Sequence, residues 1–460
     1  MIPQIVASRR TAGWARRVVS PFERGREERN LKLFIDDASL STEDLASSII
    51  RDLIGHPLIE VSTTALDADP RLEVKKVAGP YPNDVATVLR LGTRTSGETA
   101  VRYASQKIQL ANRYARSGTD TAALAQRILL VDHAELCGAD AFVTSAPELH
   151  SMASDGIYAG ANIMHPAEAV AIAGLFLRLR CDFAYFHSGG FTATYGKEGF
   201  YALLAGDLLP ALERWIAICP DLENSFLSSP LKLAWSVRLR VERALYARDR
   251  IHEQLLLPST QLDDGALFYL DSFLYSLAGA FDAIARIVHA VYEMNGSARR
   301  ANWRDQKKNG WLQELAVKAP TLAQSVAAES PHRDALELIF LLRNWIHAEG
   351  LSSVGVLRDP SDRIDHRLLL PPDDTPTLLL AFDRLGGRDA WELEQVDASV
   401  YLIDIGTFVE RVLPCVLKAM EELMSLTPVE SLKGANSFIR RPLDARMKDA
   451  IPRIRLLSGL

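Results

Sequence analysis

Residues Ala335–Leu342 read Ala-Leu-Glu-Leu-Ile-Phe-Leu-Leu and run straight into Arg343-Asn344-Trp345-Ile346-His347. A stretch this apolar belongs against a core, so the fold has to accommodate a guanidinium and an imidazole beside one. Taking a charge out of water costs several kcal/mol, roughly, unless it is paired. At 3.6 residues per turn, a spacing of four sets Arg343 and His347 about 40° apart and one turn from each other. The two side chains therefore share a face and can grip one ligand. The ends of the segment support a helix: Ser330 suits an N-cap, Pro331 the first helical position and Gly350 a left-handed C-cap. His347 falls in the last turn, where the helix dipole favours positive charge.

Arg343, Asn344 and His347 resemble the arginine–polar–histidine motif of the HEPN superfamily, four-helix-bundle domains that include metal-independent ribonucleases of toxin, antiphage and RNA-processing systems. The resemblance implies that Arg343 holds a scissile phosphate, that Asn344 is the polar neighbour, and that His347 assists attack by the ribose 2′-hydroxyl. In that family two chains commonly meet to build one site. The chemistry is general acid–base work plus charge stabilisation. Three residues separate Arg343 from His347, one fewer than the family's usual minimum, and this departure bears on cleavage more than on fold. The bland alternative pairs Arg343 with a buried carboxylate and has His347 bond a helix end.

A second helix, expected over Ala266 to Asn295, carries Asp271, Tyr275, Asp282, Arg286, His289 and Glu293 at spacings of three and four among Phe268, Leu270, Phe273, Leu277, Phe281, Ile284 and Val288. Such a stripe marks a wet groove or a buried ionic seam. Either Asp282 and Arg286 satisfy each other as an i,i+4 pair, or Asp271 or Asp282 orients Arg343 or His347. Upstream, the arginines of Leu231 to Leu256 alternate with Glu242, Asp249 and Glu253, which suggests a solvated helix face.

The N-terminal part has a different rhythm. Leu33-Phe34-Ile35 reads as a strand ending in Asp36-Asp37, and Ser41-Thr42-Glu43-Asp44 opens a helix. Helices follow over Glu98 to Ala115 and Thr121 to Cys137, then a short strand in Ala141-Phe142-Val143-Thr144 and a helix from Pro147. The alternation implies an α/β domain with a mostly parallel sheet. This layout resembles the PIN-like nuclease fold, with Asp36 as the first-strand acid. The resemblance implies a divalent-metal site, for which Asp36, Asp37 and Asp140 are the candidates. Ala146 stands where an active member presents an aspartate, and hard cations need two or three oxygen ligands. The site is therefore expected to be degenerate, with Mg²⁺ or Mn²⁺ needed only if this domain is active, and otherwise no cofactor. An unrelated α/β domain with solvated acids at Asp36 and Asp37 is the alternative.

At 460 residues, two or three domains are the default. The expected organisation is a basic segment 1–30, an α/β PIN-like domain 31–185, a helical HEPN-like domain 200–430 and a basic tail 431–460. A glycine-bearing loop over His187 to Gly199 links the domains; it holds neither phosphate-binding glycine motif. Within the bundle, Leu368–Leu370 and Thr377–Phe382 flank a Pro/Asp turn and suggest an inserted β-hairpin, and Ala398 to Leu426 reads as a closing helix with Pro414 inside. A content of 48% hydrophobic and 24% charged residues, with no apolar run near the roughly 20 residues of a membrane helix, argues for a cytoplasmic protein without a membrane partner. The net charge of −6 excludes a chain that coats nucleic acid with its whole surface, and leaves local patches such as Arg9 to Arg29 and Arg440 to Arg455. Cys137, Cys181, Cys219 and Cys415 show no metal-ligand spacing and read as buried, reduced thiols. The functional expectation is a metal-independent endoribonuclease acting on RNA, as a homodimer, in a toxin or defence setting with an antitoxin or regulatory partner. A non-catalytic module for RNA, nucleotide or protein is the first alternative, and a metal-dependent PIN-like nuclease the second.

Overall fold

The computed structural model describes residues 29–41, 43–53, 56–63, 97–136, 138–157, 162–183, 185–187, 190–192, 196–221, 229–256, 265–304, 310–357, 364–437 and 445–460. The basic residues Arg9 to Arg26, with Arg440 and Arg441, lie outside them, as does Cys137. The chain divides into two units: Met1–Thr194 with Leu256–Pro258 and Pro452–Leu460, and Tyr195–Leu255 with Ser259–Ile451.

In the first unit, β1 (Leu31–Ile35), α1 (Leu45–Leu53), β2 (Ile59–Thr63), α2 (Gly97–Tyr114), α3 (Thr121–Leu136), β3 (Ala141–Val143), α4 (Pro147–Ser154), β4 (Ile163–Met164) and α5 (Pro166–Leu179) alternate. The strands form one parallel sheet in the order β2-β1-β3-β4. Neighbouring side chains of β1 leave on opposite sides. Leu31, Leu33 and Ile35 join a core under α1 and α5, while Phe34 stacks on Phe142 in a second core against α3 and α4. Asp44 is the cap of α1, accepting from the Ser47 amide at 3.0 Å.

The boundary between the units, at Thr194 and Tyr195, falls within the expected linker His187 to Gly199, but the segment is not all loop: β5 (Tyr185–His187) pairs with β6 (Gly190–Thr192), and α6 starts at Gly196. The expected basic tail is a correction too. Ala445–Leu457 is helical, Leu457 belongs to the α1/α5 core, and the buried Arg453 donates to Asp52 at 2.7 Å. The segment docks through Ile454 and Leu457, three positions apart, which give an otherwise basic helix its apolar face.

The second unit is mainly helical: α6 (Gly196–Leu208), α7 (Pro210–Ile218), α8 (Pro230–Leu256), α9 (Gly265–Val291), α10 (Trp311–Lys318), α11 (Pro320–Ser325), α12 (Pro331–Ala348), α13 (Thr375–Arg384) and α14 (Ile405–Ser425). Helices α9, α12 and α14 contact one another pairwise. Phe273, Leu277, Phe281 and Ile284 of α9, Leu336, Ile339 and Leu342 of α12, and Phe408, Val412 and Val416 of α14 are fully or almost fully buried. By length and composition α9 could cross a membrane, yet 67% of its most apolar window is buried within the protein, as in a core helix.

An antiparallel sheet, order β7-β8-β10-β9, comprises β7 (Ser353–Leu357), β8 (Ile364–Leu369), β9 (Glu394–Asp397) and β10 (Val400–Asp404). The hairpin is therefore β7–β8, and the run Thr377–Phe382 is helical in α13. Pro376 pre-sets the first turn there, and its leucines and alanine favour a helix over a strand. The closing helix likewise starts later than the expected Ala398. Val400, Tyr401 and Ile403 pair as a strand, and Asp404 caps α14 by accepting from the Thr407 amide at 2.8 Å. Of the cysteines, Cys219 is buried, which pushes its thiol up to about 12, whereas Cys181 is exposed.

Candidate functional site

The ends of α12 are as the sequence indicates. Ser330 Oγ accepts from the Arg333 amide at 3.0 Å, and Gly350, at φ +84°, donates to Trp345 O at 3.1 Å. Helix α9 runs antiparallel to α12, so Phe281 meets Phe340 and, two turns away, Tyr275 meets His347. Tyr275 Oη lies 3.3 Å from His347 Nδ1, and the rings meet edge to face with centroids 5.0 Å apart. His347 is exposed, and among the described residues its Nε2 has no protein partner.

Arg343 is half-buried rather than sealed in the core as the apolar context suggests. Its Nη1 donates to Asn344 Oδ1 at 3.3 Å, and Nε is buried without a partner. The carboxylate that feels Arg343 is Asp282. Burial raises its pKa, and Arg343, Arg286 and Arg240 pull it part of the way back. Asp282 forms no contact ion pair among the described residues, so of the two readings of the stripe the Asp282–Arg286 contact pair is not made. Arg240, on α8, has its own ionisation weakened by burial; Asp282 supports its charge, while Arg243 and Arg286 oppose it. Three guanidiniums, those of Arg343, Arg286 and Arg240, thus act on one carboxylate, itself held towards its neutral form, and Arg243 adds its charge beside Arg240.

Arg240 reaches this cluster by crossing α9 at Gly279. A Cβ added there would lie 1.9 Å from Arg240 Nη1, so any side chain displaces the guanidinium. Asp271, one turn before Tyr275, stands apart from the arginines. Its Oδ1 is buried without a partner, and burial raises its pKa. His289 is buried, with an unsatisfied Nδ1, and Glu293 lies beyond the end of α9. The polar stripe therefore contributes Tyr275, Asp282 and Arg286 to the site and nothing further along.

The solvated face expected of α8 is another correction. Arg248, Asp249, His252 and Glu253 are buried. Arg248 Nε and Nη2 donate to Glu410 at 2.5 and 2.9 Å, His252 Nε2 lies 2.5 Å from the same carboxylate, and Tyr201 donates to Asp249 at 2.6 Å. Burial works against the Glu410 charge, but Arg248 and His252 outweigh it and hold the carboxyl at about 2. The sequence signal lies in register: Val241, Ala244, Leu245, Arg248 and His252 continue one apolar stripe, so the charges occupy core positions.

In the first unit the three acids proposed for metal do not converge. Asp36, 1% exposed, accepts from Thr144 Oγ1 at 2.9 Å and pairs with Arg127 Nε at 3.2 Å. Asp140 is bound by the Arg29 guanidinium at 2.7 Å and the Lys32 amide at 2.9 Å; burial raises its pKa and Arg29 opposes that. Lys32 lies at the start of β1 and Asp36 just past its end. At about 3.3 Å per residue the two acids stand roughly 13 Å apart along the sheet, too far for one ion. Asp37 opens a short 3-10 turn, and its side chain lies outside the described residues. Among the described residues no group of three or more His, Cys, Asp or Glu is placed to hold a metal.

No known protein family, curated protein or solved structure matches this chain.

Proposed function

We propose that the helical unit is a metal-independent endoribonuclease of HEPN type, with Arg343 and His347 as its catalytic residues. The observation that carries this reading is the exposed His347, tied at Nδ1 to Tyr275, with Nε2 unpartnered one turn from Arg343. An imidazole oriented through one nitrogen presents the other for proton transfer. Nε2 takes the proton of a ribose 2′-hydroxyl, and the 2′-oxygen attacks the adjacent phosphorus. The 5′-oxygen bond breaks, leaving a 2′,3′-cyclic phosphate and a 5′-hydroxyl. Arg343, backed by Arg240 and Arg286, stabilises charge on the non-bridging oxygens. Asn344 is the polar neighbour that engages the Arg343 head.

One imidazole serves one of the two proton transfers, and a second copy of the chain supplies the other, which makes the active species a homodimer. A toxin or defence setting and an antitoxin or regulatory protein are what the resemblance implies, and a cytoplasmic location is the expectation drawn from composition. A second reading, favoured by the three-residue spacing, is a module that binds RNA or nucleotide without cutting. Purified protein incubated with RNA in EDTA separates the two. Cyclic-phosphate ends that disappear in Arg343→Ala and His347→Ala support cleavage; intact RNA with retained binding supports the module.

A further inference from the structure

The arginine cluster does not end at α9. On α8, Trp235 is 43% and Leu239 47% exposed, large apolar groups one turn apart at the surface of a charged helix. At 100° per residue, Leu239 lies about 40°, Arg243 about 80° and Arg240 about 140° round the helix from Trp235. The series leads from an exposed indole, through an exposed arginine, to the guanidinium seated on Gly279 beside Asp282. From there Arg343, which also acts on Asp282, continues it to His347, one turn further along α12. The Arg238 guanidinium lies 5.2 Å from the Trp235 ring centroid and is already paired with Glu213 and Glu242. The unbalanced charge is therefore on the other side, along Arg243, Arg240, Arg286 and Arg343.

We propose that this strip is the track for an unpaired RNA strand, with one base stacked on Trp235 and its backbone led across Arg243 and Arg240 to the Arg343–His347 pair. The inference rests on the ribonuclease reading for the nature of the nucleic acid, and adds its strandedness and its path. Charge chooses the occupant. A second copy docking over the α8 stretch of Trp235, Arg243 and Arg240, away from the His347 end where the proposed homodimer meets, sets like guanidiniums against each other, which repulsion disfavours, whereas a phosphate chain complements them. The indole chooses the strand: a base offers its ring face only when it is out of a duplex, and stacking on an aromatic is tolerant of sequence. From α8 across α9 to α12 is two interaxial distances, about 16–20 Å, so the site requires several nucleotides and gains little from a mononucleotide.

The test uses full-length protein carrying His347→Ala, which prevents turnover, and fluorescence anisotropy of a labelled RNA of about twelve nucleotides, single-stranded or annealed to its complement. Trp235→Ala is expected to weaken single-strand binding about tenfold or more, Trp235→Phe to retain most of it, and the duplex to bind more weakly and be indifferent to either. Unchanged single-strand affinity in Trp235→Ala, or equal affinity for duplex, overturns the track. A change from dimer to monomer in Trp235→Ala, read by light scattering with RNA affinity intact, assigns the face to a second copy and also overturns it. Trp235-dependent binding by a protein that never cleaves leaves the track standing and sinks the ribonuclease reading. Arg343-dependent cleavage with Trp235-independent binding does the reverse.

Discussion

Helix α8 carries two groups of charges that have met opposite fates. Towards its end, Arg248 and His252 share Glu410 under nearly complete burial, each ion answered by another. In its middle, Arg240 joins Arg286 and Arg343 about the one carboxylate of Asp282, and Arg243 adds a further positive charge beside Arg240. Closed and balanced charge is a structural device, since losing one partner strands the other in a low dielectric. Open and unbalanced charge gains nothing for the fold and gives an anion a place to bind. Asp36, sealed with Arg127 and Thr144, belongs with the first kind.

The largest effect that divides the two groups is on catalysis. His347→Ala should lower the cleavage rate by about 10²–10⁴-fold while leaving the melting temperature nearly unchanged, because the side chain is exposed. A variant that melts much earlier than wild type would move His347 into the structural group. Glu410→Gln should do the opposite, destabilising the fold by about 3–5 kcal/mol in denaturant titrations, with cleavage per folded molecule preserved. The pH dependence has a definite sign. The folded-state pKa of Glu410 is held down at about 2 against 4.5. Its contribution, about 3 kcal/mol, is present above pH 4.5 and is lost as pH falls from there through about 2. A Glu410→Gln protein should show a flatter stability profile over that interval, and an unchanged profile contradicts the network.

How much of this was legible in the sequence depends on whether a residue's role is set locally. Ser330, Pro331 and Gly350 fixed the ends of α12 because capping is a matter of a few neighbouring groups, and the period of three and four on α9 put Asp271, Tyr275 and Asp282 on one stripe without deciding which of them meets His347 or Arg343. The parallel strands β1 and β3 were also readable. Partners distant in the chain were not. Arg248 finds Glu410 across 162 positions; the apolar register of Val241, Ala244 and Leu245 separates it from the exposed Arg243, but does not say which acid answers it. Apolar runs without a period misled in both directions, as in Thr377–Phe382, read as a strand and folded as α13, and Val400–Asp404, read as helix and folded as β10. Asp36 follows its strand in the sequence and Asp140 precedes the next one, and in the parallel sheet these positions are opposite ends.

Smaller changes sharpen the boundary of the open cluster. Gly279→Ala should keep or slightly raise stability, since alanine is the better helix former by about 1 kcal/mol, yet weaken RNA binding several-fold by displacing Arg240; equal affinity means that Arg240 does not touch the ligand. Asp282→Asn removes the lone carboxylate, so RNA should bind more tightly and with a steeper dependence on salt. Weaker binding would show that Asp282 positions the arginines instead of merely opposing the ligand.

The most direct measurement is the chemistry of the cut ends. Wild-type protein with RNA in EDTA should give 2′,3′-cyclic phosphate and 5′-hydroxyl termini, absent with Arg343→Ala or His347→Ala and unaffected by Asp36→Asn. RNA left intact by the wild type, or cut only with Mn²⁺ and in a manner that depends on Asp36, contradicts the account.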